Sequence, residues 1–251
     1  MLTFAEAFAS RETFVFGHRG ASAYAPMNTL PAFLLAAEQG AAGIELDVRC
    51  SSDGRLMVLH DPIVDHTTNG SGQVADLSYE ALRELDAGAW FGPEFAGTLI
   101  PTLDEVFDAF GRGLLINVEI KAESMFTDGI ERAVAEAVRR HRLFDTVLVS
   151  SFNPLALRRF RAVLPEVMIG YLHAPDVPFY LPALMSGLKH EARHPYDGEV
   201  TRRYMDWARR AGYAVNVWTV NDPARAQALR DLGVNIIITD RPDVIRAALA
   251  P

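Results

Sequence analysis

Short apolar runs recur along the chain, and between them lie segments whose hydrophobic positions return every three or four residues. The runs predict strands over 13–17, 43–49, 56–60, 114–121, 146–152, 167–172, 188–193, 213–220 and 235–240. The intervening segments predict helices over 30–39, 102–110, 128–141, 154–163, 200–211 and 223–232, several of them closing on glycine. Strand alternating with helix implies a parallel sheet with right-handed crossovers. About eight such units in a chain of 251 residues match the usual size of a closed (β/α)8 TIM barrel, the α/β fold expected here.

Nine strand candidates exceed eight staves by one. Ser52-Asp53-Gly54 is too short for a parallel crossover, so the strand over 56–60 should return antiparallel to the strand over 43–49 as a hairpin. A turn centred on Asp53 and Gly54 would set His60 opposite Asp47. The segment 61–101 breaks the alternation: it holds turn chemistry in Asn69-Gly70-Ser71-Gly72, one short helical piece over 78–86 and an aromatic, glycine-rich stretch at Trp90-Phe91-Gly92-Pro93. It reads as a small cap inserted over one end of a single barrel domain that spans 1–251. No internal repeat or low-complexity segment is apparent.

Composition changes the picture little: 49% hydrophobic and 22% charged residues describe an ordinary globular chain. The formal charge of −8, with no long basic run, argues against a nucleic-acid partner while leaving room for a small anionic substrate. Cys50 is the single cysteine and can form no internal bridge. No stretch resembles a signal peptide or reaches the length of a membrane span, so the expected location is the cytoplasm. No motif for self-association is legible.

Chemistry in such barrels sits at the carboxyl ends of the strands. His18 and Arg19 end the first strand, and Gly20 then lets the backbone turn away closely. Glu45 and Asp47 are spaced by two in the second strand and so face one side, and Asn117, Glu119 and Lys121 obey the same period. Crowded carboxylates repel unless a cation stands between them. Glu45, Asp47 and Glu119 offer hard oxygen ligands that suit Mg²⁺, Ca²⁺ or Mn²⁺ better than zinc. Such a cation, with Arg19 and Lys121, suits a phosphate, and His18 and His60 can serve as an acid–base pair. The plainer reading of each pair is a salt-bridged strand end; their shared inward register favours the site.

The chain then resembles the glycerophosphodiester phosphodiesterase family. The motifs are HRGAS and NTLPAF, GIELDV, DG and VLHD, TTNGSG and IPTLDEVF, NVEIK, VWTVND and IITDRPD, in the same order over nearly the whole chain. The resemblance implies a (β/α)8 barrel with a small insertion after the His60 strand. It also implies divalent-cation-dependent hydrolysis of glycerophosphodiesters to glycerol 3-phosphate and an alcohol, by way of a cyclic phosphate where the substrate's own hydroxyl attacks. By the same resemblance His18 and His60 are the catalytic histidines and Arg19 their neighbour, Glu45, Asp47 and Glu119 hold the metal, Lys121 contacts phosphate, and Trp218 lines the pocket. Phe152 and the Trp90-Phe91 pair are further candidates for that wall, and Asp240 reads as structural.

One position departs from the pattern. Met27 stands where the family usually has glutamate, and a thioether neither ligates a hard cation nor accepts a strong hydrogen bond from arginine. Two alternatives follow. The apolar run over 178–185 could receive an acyl chain and make the enzyme a lysophospholipase D-like lipid phosphodiesterase, or Met27 could mark a non-catalytic phosphodiester-binding barrel.

Overall fold

The computed structural model of the protein describes residues 1–122, 124–175 and 181–250. Its strands are β1 (Phe14–His18), β2 (Gly43–Cys50), β3 (Leu56–Val58), β4 (Leu115–Ile120), β5 (Val147–Ser151), β6 (Met168–His173), β7 (Ala192–Pro195), β8 (Ala214–Val217) and β9 (Ile236–Thr239). Eight of them run parallel in the order β1-β9-β8-β7-β6-β5-β4-β2, and pairing of β1 with β2 closes the barrel. The ninth, β3, returns antiparallel on the outer half of β2, as the short turn at Ser52-Asp53-Gly54 requires. A closed barrel leaves no strand edge among its staves.

The helices are α1 (Phe4–Ala9), α2 (Leu30–Glu38), α3 (Tyr79–Arg83), α4 (Leu103–Phe110), α5 (Ile130–His141), α6 (Pro154–Val163), α7 (Arg202–Ala211), α8 (Pro223–Leu232) and α9 (Pro242–Leu249). Their starts follow from local chemistry. Thr29, Thr102, Asn153, Thr201 and Asp222 each cap a helix with a side-chain oxygen, and α4 closes a full capping box through Glu105. Helix α1, outside the helical segments read above, also begins in a capping box, between Thr3 and Glu6. It lays Phe4 against Phe16 inside the barrel at its amino-terminal end, with ring centroids 6.0 Å apart.

Two expectations need correction. The hairpin pairs Val48 with Val58 and Cys50 with Leu56, a register that carries His60 level with Leu46 instead of Asp47. The loop is one residue longer than supposed, three residues instead of two, because Ser51 pairs with Arg55: Ser51 N donates to Arg55 O, the Ser51 hydroxyl accepts from Arg55 N and donates to Asp53, and the turn centres on Asp53. The stave expected over 188–193 forms at Ala192–Pro195: Leu188 N bonds back to Met185 O in a turn, and His194 replaces an apolar inward residue.

Inward and outward faces alternate along the staves. Outward Ile44, Leu46, Val118 and Val149 pack beneath the helices in the largest apolar cluster. Inward Phe16, Leu115, Leu148, Ala192, Ala214 and Ile236 fill the amino-terminal half of the barrel. The segment joining β3 to α4 has its own apolar cluster, in which Leu59, Val64, Val74, Leu82, Ala87 and Ile100 gather with Met57 of β3. Its Arg83 guanidinium grips Glu105 through two bonds of 2.9 and 2.8 Å, which tie it to α4.

Candidate active site

Parallel pairing of β2 with β4 sets Glu45 beside Asn117 and Asp47 beside Glu119, and the two-residue period turns all four inward. Carboxylate oxygens of Glu45, Asp47 and Glu119 lie within 4.8 Å of one another, and all three side chains are buried. Lys121, just beyond β4, reaches back with Nζ 2.9 Å from Asp47 Oδ1 and 2.7 Å from Glu119 Oε1. Arg19 Nε lies 3.2 Å from Asp47 Oδ2, an ion-pair distance without hydrogen-bond alignment. Asn28 Nδ2 donates to the same oxygen at 2.8 Å. Arg19 and Asn28 both hold positive φ, 55° and 59°, and Asn28 N bonds Arg19 O at 3.0 Å. That left-handed pair is how the chain after β1 folds back over the carboxylates.

The electrostatics of the three acids differ. Burial pushes Asp47 upward, but Lys121 and Arg19 outweigh it and hold this carboxyl below its usual range. Glu119 is raised, chiefly by burial, with Lys121 offsetting part of that. Glu45 is raised well above the ordinary carboxyl value by burial and by the charges of Asp47 and Glu119. The ring nitrogen Nε2 of His18 stands 4.0 Å from Glu45 Oε2. A buried carboxylate cluster whose third member lacks a strong counter-charge is the donor set a hard divalent cation fits. The buried, unpartnered Oδ1 of Asn117 adds a neutral oxygen on the wall of the same cavity.

Each candidate histidine is held by an aspartate. His18 Nδ1 is 2.7 Å from Asp240 Oδ1, and His60 Nδ1 is 2.7 Å from Asp61 Oδ1, whose other oxygen meets His66 Nδ1 at 2.9 Å. Asp240 is ionised, held down to about 2: burial raises it, but bonds from His18, Asn221 and Ser22 prevail. A carboxylate accepts only, so a proton on Nδ1 of His18 is assigned by its partner, and in the neutral imidazole the lone pair is on Nε2. Burial lowers the His60 value and so favours its neutral form.

His18, Arg19, Glu45, His60, Asn117, Glu119 and Lys121 meet Phe152, Leu172, Trp218 and Ile238 around one narrow cavity of about 60 Å³. Trp218 donates Nε1–H to His194 O at 2.8 Å and stands edge-on to Phe152, with centroids 5.5 Å apart. Trp90 meets Phe91 edge-on, Phe91 meets Phe95 edge-on, and neither Trp90 nor Phe91 borders that cavity. Of the apolar run over 178–185, residues 178–180 lie outside the described residues, and Met185 is buried in the core beneath the helices. Met27 Sδ stands 3.4 Å from Arg19 Nη1, a weak contact where a carboxylate would form an ion pair.

Sequence reasoning missed Asn28 and Asp61 and treated Asp240 as structural. Asp61 follows His60 directly and its adjacency was a usable signal; Asn28 and Asp240 reach the site only through the fold.

Comparison with known proteins identifies the family. Residues 18–244 match the model of the Glycerophosphoryl diester phosphodiesterase family. A glycerophosphodiester phosphodiesterase of Caldanaerobacter subterraneus subsp. tengcongensis is 38% identical over 237 residues, covering 93% of this chain and 96% of the relative. Among solved structures, a phosphodiesterase of Oleispira antarctica in complex with the product sn-glycerol-3-phosphate superposes with a TM-score of 0.87 at 32% identity, covering 97% of this chain and 98% of that one. A glycerophosphodiester phosphodiesterase of Agrobacterium tumefaciens gives 0.82 at 31% identity over 94% of this chain and all (100%) of its own.

Proposed function

The chain belongs to the glycerophosphoryl diester phosphodiesterase family, and from that premise we propose how its own residues hydrolyse a glycerophosphodiester to glycerol 3-phosphate and an alcohol. The observation that carries the reading is the pair of aspartate-held histidines, His18 and His60, on one cavity with three carboxylates, Lys121 and Arg19.

Glu45, Asp47 and Glu119 hold a divalent cation, with Mg²⁺, Ca²⁺ and Mn²⁺ all matching the all-oxygen donors. When bound, it supplies Lewis-acid neutralisation of phosphoryl charge. Lys121, kept protonated by Asp47 and Glu119 against the effect of burial, contributes a fixed positive charge to the same end, and Arg19 adds a second. In-line displacement at phosphorus places the attacking and leaving oxygens on opposite sides. One histidine therefore takes the proton of the attacking hydroxyl or water through a free Nε2, while the other, protonated, gives its proton to the departing alkoxide. The aspartates stabilise whichever imidazolium forms. Phe152, Leu172 and Trp218 keep one side of the cavity apolar and limit water there.

Release of glycerol 3-phosphate from glycerophosphocholine and glycerophosphoethanolamine, with EDTA and then with each cation restored, tests the reading. Loss with chelator and recovery with a cation are expected, and His60→Ala should cost about 10² to 10⁴ in rate. Turnover that ignores EDTA would remove the carboxylate site from the mechanism. Among the described residues no helix is long and apolar enough to cross a membrane. A cytoplasmic location belongs to this reading, supported by the lone Cys50, and cell fractionation tests it.

A further inference from the structure

A second cavity, about 310 Å³, shares His18 and Arg19 with the first and is otherwise lined by Ser22, Ala23, Met27, Asn221, Asp240 and Arg241. Its charges are unevenly satisfied. Among the described residues the only carboxylate on its wall is Asp240, and both oxygens are engaged: Oδ1 by His18 at 2.7 Å and Ser22 at 2.9 Å, Oδ2 by Asn221 at 2.6 Å. The cations are less so: Arg19 reaches Asp47 through Nε at 3.2 Å, but its Nη1 meets only the Met27 thioether at 3.4 Å. Arg241 uses its backbone N–H on Thr239, while its exposed guanidinium makes no hydrogen bond or ion pair among the described residues. Arg19 is shared with Asp47 and Asp240 is taken up by His18, Ser22 and Asn221, so the exposed Arg241 guanidinium gives this lobe an unpaired positive charge in a chain whose formal charge is −8.

The two lobes meet at His18 and Arg19, where the phosphodiester sits in the reading above, so the two arms of a substrate have different surroundings. One faces Phe152, Leu172, Trp218 and Ile238; the other faces Arg241, Arg19 and the hydrogen-bonding groups of Ser22 and Asn221. A glutamate at position 27 would occupy the Nη1 edge of Arg19 and repel a second anion. Methionine does neither, and its flexible, polarisable side chain leaves the guanidinium edge open.

We propose that this lobe is a subsite for an anionic group on the alcohol arm of the substrate, so that diesters of a carboxylate-bearing alcohol are the preferred class. The proposal rests on the phosphodiesterase reading and assigns Met27 and Arg241 a role in specificity. Arg19 and Arg241 each offer the carboxylate charge-assisted hydrogen bonds in a partly solvated site, an advantage of about three- to tenfold.

Glycerophosphoserine and glycerophosphoethanolamine differ by that one carboxylate, and their kcat/KM ratio is the readout. The native chain should favour the serine diester about three- to tenfold. Arg241→Ala should bring the ratio towards one, Arg241→Lys should keep part of it, and Met27→Glu should take it to one or below. A native ratio of one or less, or a ratio unmoved by both Arg241→Ala and Met27→Glu, overturns the proposal. If neither diester turns over, the activity reading falls instead, and the subsite is judged from the dissociation constants of the same two compounds, where the same ratios and the same reversals apply.

Discussion

The Nδ1 atom of His18, at the end of the first stave, lies 2.7 Å from Oδ1 of Asp240, just past the last stave and 222 residues away in sequence. Closure of the barrel makes that pair, because β1 hydrogen-bonds β9 with Gly17 level with Thr239. Asp240 in turn accepts from Ser22 and Asn221, so the imidazole is fixed by a group that is itself fixed.

Asp240→Asn preserves the shape of this contact but reverses its polarity. An amide nitrogen turned to Nδ1 donates, which moves the imidazole proton to Nε2 and removes the lone pair that faces the cavity. We expect kcat to fall by about 10²-fold or more with the fold intact. The ¹⁵N shifts of His18 should report the changed tautomer. Unchanged kcat, or unchanged shifts, would make Asp240 a structural residue only.

His194 supplies a pH dependence of stability away from the carboxylates. Its ring is fully buried inside the barrel, accepts from Asn216 Nδ2 at 3.0 Å, and is pushed down to about 3, mainly by burial. In the unfolded chain it titrates near its ordinary value of about 6.5. Between those values the unfolded state binds a proton that the folded state refuses, so stability is full above about pH 6.5 and declines as pH falls towards 3, by at most about 1.4 kcal/mol per pH unit. Urea unfolding at pH 7 and pH 5 should show a native loss about 2 kcal/mol larger than that of His194→Asn, which keeps an acceptor and cannot titrate. Equal losses in the two proteins would contradict this.

Gly20 is irreplaceable for two reasons that act together. Its φ is 86°, and a Cβ built there would stand 2.5 Å from the Ala32 carbonyl carbon at the start of α2. Gly20→Ala should destabilise the protein by about 2–4 kcal/mol in urea unfolding. It should lower kcat as well, since the displaced backbone carries His18 and Arg19. A neutral substitution would show that the α2 backbone yields freely.

The alternation of apolar strands with amphipathic helices determined the barrel by itself, because each element's period dictates which face it must bury. The same period placed Glu45 with Asp47, and Glu119 with Lys121, since residues two apart on a strand share a side whatever surrounds them. His18-Arg19-Gly20 was legible as a strand end turning sharply. Local pattern carries no information on which distant strand ends meet, so Asp240 beside His18 and Asn28 beneath Asp47 were decided by barrel closure and by the left-handed turn at Arg19. The one-residue shift at His60 has a similar origin, for the Ser51–Arg55 hydrogen bond sets the hairpin register and alternation alone leaves it free. Met27 shows both levels at once. The sequence revealed the missing carboxylate, and only the tertiary structure revealed the cation-lined cavity that it leaves open beside Arg19.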